Sequence, residues 1–450
     1  MGRSHAGTLR ARVHAVLLML VAVLLVAPSA ASAVPRPSLD PFYAYTDSTP
    51  LEDVAPGTVL KTRTVPYHLA GVKSRIQAVQ ILYRSTGTLG QATTNVTSIL
   101  KPPTRRANVP HVIAYGSFYD SLNRNDQPSY AIAGGVTFGG LVNTVEAVLV
   151  APFLNRGYTV AIADTQGQEA NFAAGPEYGY NTLDGLRAAF GAPETGITEA
   201  AKVGLFGYSG GAIATEWAAE LAPEYAPDVD ARMVGAAMGG VLVKPSTNLH
   251  YVDGSQFWAG VMPMAIIGAA RSFQVDLKQY LSPYGERVYE RMKDDSIAEV
   301  LGQYPGLTWK KLAKPEYGVP ESIPIYVEKV NQLIMSTGGT PTVPLYIGQG
   351  ARGELEGTKG NKPGVGKGDG VMVAGDVRAL ALEYCKRGVT VDYRQYNGDS
   401  HVTSVAKWLP AATTWLLRRF GDQPAAENCA SIAPGNSLAP VTAVDPAPAG

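Results

Sequence analysis

The chain has 450 residues, 46% of them hydrophobic and only 17% charged, with 38 basic residues against 38 acidic ones. That is ample apolar material for a large core, and a chain without net formal charge lacks the basic field that a nucleic-acid partner requires. Two or three domains of average size would fit, and so would one decorated catalytic domain.

The N-terminus reads as an export signal. Arg3, Arg10 and Arg12 precede an uncharged apolar run at 15–26, and Ala31-Ser32-Ala33 supplies small residues for cleavage after about Ala33. The run is shorter than the roughly 20 residues of a membrane span. The expected product is a secreted protein with no transmembrane segment. A Pro-rich lead-in at 34–60 follows.

From 61 to 248, short apolar runs alternate with helical patterns. Strands are predicted at 111–115, 158–163, 203–206 and 233–238, and helices at 145–156, 181–190 and 212–221. The stretch 249–335 breaks this rhythm with Tyr-, Pro- and Met-containing helical material and reads as a cap inserted over the sheet. The alternation resumes over 336–422, with strands at 344–347 and 389–396 around a helix at 375–387. Such alternation predicts an α/β fold, a mostly parallel sheet with helices on both faces. Residues 350–370 are rich in Gly and read as a flexible loop without the spacing of a P-loop. The Ala- and Pro-rich stretch 423–450 lacks periodicity and reads as a disordered tail, tied down at most at Cys429. The two cysteines are Cys385 and Cys429. In an oxidising compartment two thiols usually pair, here closing a loop of about 45 residues worth roughly 4 kcal/mol. Two free thiols are the alternative.

The chemistry centres on Gly207-Tyr208-Ser209-Gly210-Gly211, a G-x-S-x-G pattern between a predicted strand and a predicted helix. That setting suits a nucleophilic serine, held on a tight turn with the first helix N–H groups facing the substrate oxygen. A serine needs a base. Of six histidines, only His401 follows the last predicted strand, as the chain order serine, acid, histidine requires. The acid must lie between them. Asp369 is the first choice, Glu354 or Glu356 the second. Asp376 falls inside the next helix, on its solvent side, and Asp399 is too close to His401 in sequence.

Several segments in order resemble the secretory lipase family, the lipase A-like α/β-hydrolases. They are Ile81-Leu82-Tyr83-Arg84-Ser85, Tyr119-Asp120-Ser121 with Pro128-Ser129-Tyr130, Arg156-Gly157-Tyr158, Leu183-Asp184-Gly185-Leu186-Arg187-Ala188, the elbow itself, and Cys385-Lys386-Arg387-Gly388. The resemblance implies an α/β-hydrolase fold and ester hydrolysis through an acyl-enzyme, with no metal or organic cofactor. It implies a small-molecule or lipid ester as substrate, and a cap that can meet a lipid interface. It places the nucleophile at Ser209, the base at His401, and the oxyanion donors at Asp120 and Gly210. It pairs Cys385 with Cys429; a second family disulfide is missing, with Gln127 where its first cysteine would stand. The family's acid sits in a strand-Gly-x-x-Asp-Glu-x-Val-Pro stretch, which Asp369-Gly370-Val371-Met372 matches only as a remnant, behind the 350–370 insertion. A secreted peptidase on the same scaffold, or a non-catalytic binding protein, are the rival readings.

Overall fold

The computed structural model describes residues 34–104 and 111–447; the export signal and its cleavage site lie outside the described residues. The centre is a nine-stranded sheet in the order β1-β2-β3-β5-β4-β6-β7-β8-β9. Its strands are β1 (Val59–Leu69), β2 (Val72–Thr86), β3 (Ala92–Leu100), β4 (Val112–Gly116), β5 (Thr159–Ala163), β6 (Val203–Tyr208), β7 (Met233–Gly239), β8 (Leu345–Gly350) and β9 (Val391–Tyr396). From β5 to β9 every pairing is parallel, as the apolar runs predicted. These strands read as nearly continuous hydrophobic stretches because helices cover both faces. All of β4, β5 and β6 is buried.

The antiparallel extension β1-β2-β3 has no counterpart among the predicted strands. Its first strand carries Lys61, Arg63 and Pro66, so no apolar run marks it.

The helices that matter for the site are α1 (Ala147–Leu154), α2 (Gly175–Gly191), α3 (Gly210–Tyr225), α4 (Ala374–Lys386) and α5 (His401–Phe420). One apolar cluster packs α2, α3 and α4 on one face of the sheet, through Leu183, Trp217 and Tyr384. Another packs α1 and α5 on the opposite face, through Phe153, Trp408 and Leu416. Between β7 and β8 the chain leaves the sheet and forms its own apolar cluster, built on Trp258, Met262, Met264, Val288 and Met292. Helices Pro245–Val252, Val261–Ser272, Pro283–Met292 and Pro324–Asn331 carry it.

Two expectations are corrected. The C-terminal stretch is not a disordered tail through its described part. It is a strap laid across the fold, in which Ile432 is buried and Asn436 binds the Gly375 and Val365 carbonyls at 3.0 Å each. Farther on, Asn331 exchanges two hydrogen bonds with Val441, and the N–H groups of Val444 and Ala447 donate to the carbonyls of Glu321 and Glu316. Its composition misled because a strap needs no periodicity when the surface beneath supplies its partners. The strap also explains Asp376. That residue is 1% exposed, not solvent-facing, and accepts a hydrogen bond from Asn436 Nδ2 at 2.7 Å. The Cys385–Cys429 disulfide, with Cα atoms 5.8 Å apart, fastens the start of the strap to α4.

Candidate active site

Ser209 sits between the last residue of β6 and the first of α3, with φ 55° and ψ −124°. That backbone is strained for a residue with a side chain, and the neighbours hold it there. Its N–H donates to Gly239 of β7 at 2.8 Å. Gly207 is required because a Cβ there would lie 2.1 Å from the Gly211 carbonyl oxygen. Gly210 opens α3, and the first N–H groups of a helix have no acceptor within it.

His401 is the first residue of α5. Ser400 caps this helix by accepting from the Thr403 N–H, and the His401 N–H donates to the Asp369 carbonyl at 2.8 Å. The imidazole is 4% exposed, between Tyr208 and Trp258 with ring centroids 5.2 and 5.3 Å away. Its Nε2 lies 2.8 Å from Ser209 Oγ, and its Nδ1 lies 2.8 Å from Asp369 Oδ2. Burial alone would disfavour the imidazolium. The charge and hydrogen bond of Asp369, then the charges of Glu356 and Asp120, outweigh it and hold the His401 pKa above its ordinary value.

Asp369 is fully buried. Its Oδ1 accepts the N–H groups of Val371 and Met372 at 3.1 and 2.7 Å, and its Oδ2 also accepts Gln349 Nε2 at 2.9 Å. The 351–368 detour therefore does not carry Asp369 away from β8: a Cβ on Gly350, the end of that strand, would lie 2.8 Å from the Asp369 Cβ. Nor is the detour free. Lys362 Nζ binds the carbonyls of His250, Tyr251 and Asp253, Thr358 shares a bond with Ser255, and Gln256 N–H donates to Gly357. Of the alternative acids, Glu354 is exposed. Glu356 reaches the neighbourhood of His401 but bonds elsewhere, to the Val402 N–H at 2.9 Å and Trp258 Nε1 at 2.7 Å.

Asp120 follows β4 with φ 31°. Its carboxyl lies against Gly210, where a Cβ would come within 1.9 Å of Oδ1. Burial, then the charge of buried Glu146, raise its pKa to about 8 although His401 pulls the other way. Below that pKa the carboxyl carries a proton to donate, and above it the carboxylate charge favours protonated His401. The remaining described histidines lie elsewhere. His68 Nδ1 bonds the Ile132 carbonyl, His250 Nε2 bonds Glu321, and His111 stacks between Tyr158 and Phe420.

Residues 135–363 match the secretory lipase family model. Lipase A of Arthroderma benhamiae is 32% identical over 421 residues, covering 90% of this chain and 84% of that protein. The chain belongs to the secretory lipase family. This secretory lipase is a carboxylic ester hydrolase on the α/β-hydrolase fold. Lipase 1 of Candida albicans is 28% identical over 437 residues, covering 92% of the chain and 86% of the relative. In fold the secretory lipase is similar to the crystal structure of Candida antarctica lipase A, with a TM-score of 0.73, 24% identity and 92% of each chain covered. The same neighbour in its closed state gives 0.72 at 25% identity, covering 92% of this chain and 93% of that one.

Sequence reasoning missed Gln349, Trp258 and Tyr208 as parts of the site. Gln349 left a signal, a polar side chain at the end of an otherwise apolar strand. Trp258 left none, because only the folding of the 249–335 segment brings its indole to His401.

Proposed function

We propose that this enzyme hydrolyses lipid esters, triacylglycerols among them, through an acyl-enzyme on Ser209. The observation that carries the reading is the unbroken chain Ser209 Oγ–His401 Nε2 and His401 Nδ1–Asp369 Oδ2, each link 2.8 Å, at the edge of an apolar cavity of about 1180 Å³. Ligand cavities usually measure roughly 300–1,000 Å³, so this one suits a long acyl chain. Side chains of the cap, such as Met262, Ile267 and Val288, line it together with Phe172 and Ile213 of the core. The segment 249–335 is accordingly the proposed cover, set between the core segments 61–248 and 336–422.

In this mechanism His401 takes the Ser209 proton as Oγ bonds to the ester carbonyl carbon. Asp369 holds the Nδ1 tautomer and stabilises the imidazolium. The Gly210 N–H and the protonated Asp120 carboxyl stabilise the oxyanion. His401 then protonates the departing alkoxide, and water repeats the sequence on the acyl-enzyme. The chain is exported, with cleavage after about Ala33; N-terminal sequencing of the secreted form checks this.

Contact with lipid is proposed at the cavity edge formed by the core as well as by the cap. Val72, Phe138, Val148 and Val402 line that edge and are 58%, 50%, 60% and 41% exposed. Fluorophosphonate labelling, with an ester series running from short soluble esters to long-chain triacylglycerols, tests the whole reading. Labelling and turnover lost in Ser209→Ala, with preference for longer chains, is expected. Cleavage of aminoacyl amides would instead favour the peptidase reading.

A further inference from the structure

The 351–368 detour brings a second carboxylate to the base, and nothing in the triad uses it. We propose that Glu356 is a positioning residue for His401, clamping the start of the His401 helix and the cap indole of Trp258 into one wall around the imidazole.

Four observations support this. Glu356 Oε1 accepts the N–H of Val402, the residue next to the base. Its Oε2 accepts Trp258 Nε1, and Trp258 meets the imidazole edge-to-face. The clamp has room only because residue 370 is glycine, since a Cβ there would lie 2.6 Å from Glu356 Oε2 and 2.9 Å from Trp258 Nε1. Lastly, both its ends are anchored: the loop is tied to 250–258 through Lys362, Thr358 and Gly357, and α5 to Asp369 through the His401 N–H.

Both carboxylate oxygens are engaged by N–H donors, so the site asks for an acceptor on each side. A carboxylate supplies two, while an amide supplies one acceptor and one donor. The charge has a second consequence. The ionisable groups facing His401 are Asp369, Glu356 and Asp120, with the Tyr208 ring stacked beside it. Glu356 thus contributes to holding the imidazolium, after Asp369. Burial raises the pKa of Glu356 itself, against the charge of His401 and the bonds to Ser400 and Val402. Above that pKa it is an anion that favours protonated His401.

This inference rests on His401 being the base. The test therefore measures kcat/KM against pH for a soluble short-chain ester, in wild type, Glu356→Gln, Trp258→Phe and the double variant, with fluorophosphonate labelling and thermal melting of each. In Trp258→Phe the ring stays and the indole donor goes. An amide introduced by Glu356→Gln in that background can accept from Val402 with no donor left facing its nitrogen. The expected result is a loss of roughly tenfold in kcat/KM for Glu356→Gln, smaller in the Trp258→Phe background. The acid limb should move to lower pH whenever the substitution Glu356→Gln is present, raising the ratio of activity at pH 5.5 to that at pH 8 by roughly threefold. Wild-type kcat/KM and an unmoved limb in folded Glu356→Gln overturn the role of Glu356 while leaving the triad standing. A wild type inert to ester and fluorophosphonate overturns both. A lowered melting temperature with an unmoved limb, in Glu356→Gln and in the double variant alike, reduces Glu356 to a structural contact.

Discussion

The Gly207–Gly211 elbow and the 351–370 loop each deliver one group of the proposed triad, and they do it by opposite means. The elbow is local. Its strain is held by five consecutive residues and the neighbouring strand β7; Gly207 is set by Gly211 inside the motif, and only Gly210 and Gly211 answer to another segment, Asp120 and Gly116. The loop is long-range. Asp369 turns back on its own 371–372 backbone but also takes Gln349 of β8, and Glu356 owes its place to Val402 and Trp258, so distant segments must arrive first. Local devices leave motifs; long-range devices leave only isolated residues whose meaning depends on the fold.

The comparison can be broken most severely at the elbow. Ser209→Ala removes the proposed nucleophile and should lower kcat by about 10⁴-fold or more, measured on a soluble ester, with the fold intact by circular dichroism. In the loop, Asp369→Asn should cost on the order of 10⁴-fold, because the amide leaves His401 in the wrong tautomer. A loss below tenfold would mean that Glu356 can replace it. Gly210→Ala drives a methyl into Asp120 and disturbs both proposed oxyanion donors, for an expected loss of about 10²-fold in kcat.

Asp120 sharpens the picture through pH. Its pKa of about 8 means that it can donate below that value and loses the proton above it. Activity should therefore rise with pH as His401 becomes neutral and fall again above about pH 8. Asp120→Asn keeps a donor that does not titrate, so it should flatten the alkaline limb; an unchanged limb would remove the carboxyl from the oxyanion site. The smallest effect on catalysis is expected from Cys385→Ser with Cys429→Ser. It should leave kcat within about twofold while costing roughly 2–4 kcal/mol of stability, read as a lower melting temperature.

What the sequence carried follows the same division. The parallel strands were legible because burial on both faces makes them apolar throughout, and Ser209 and His401 because chain order and a five-residue pattern constrain them. Asp369 was legible only as a choice among carboxylates, since the detour hides its return to β8. The β1–β3 extension was hidden by Lys61, Arg63 and Pro66, and the burial of Asp376 by a strap whose partners are not its sequence neighbours. Glu356 appeared as a rival acid; its bonds to Val402 and Trp258 assign it a different place.

The strap has a consequence for how the two parts are joined. It bonds to Gly375 in the core and to Glu321 and Glu316 in the 249–335 segment. The core segments and the 249–335 segment each hold their own apolar cluster, but these particular ties need residues 436–447 as well. A chain cut before Asn436 would therefore keep both clusters and lose these ties between them.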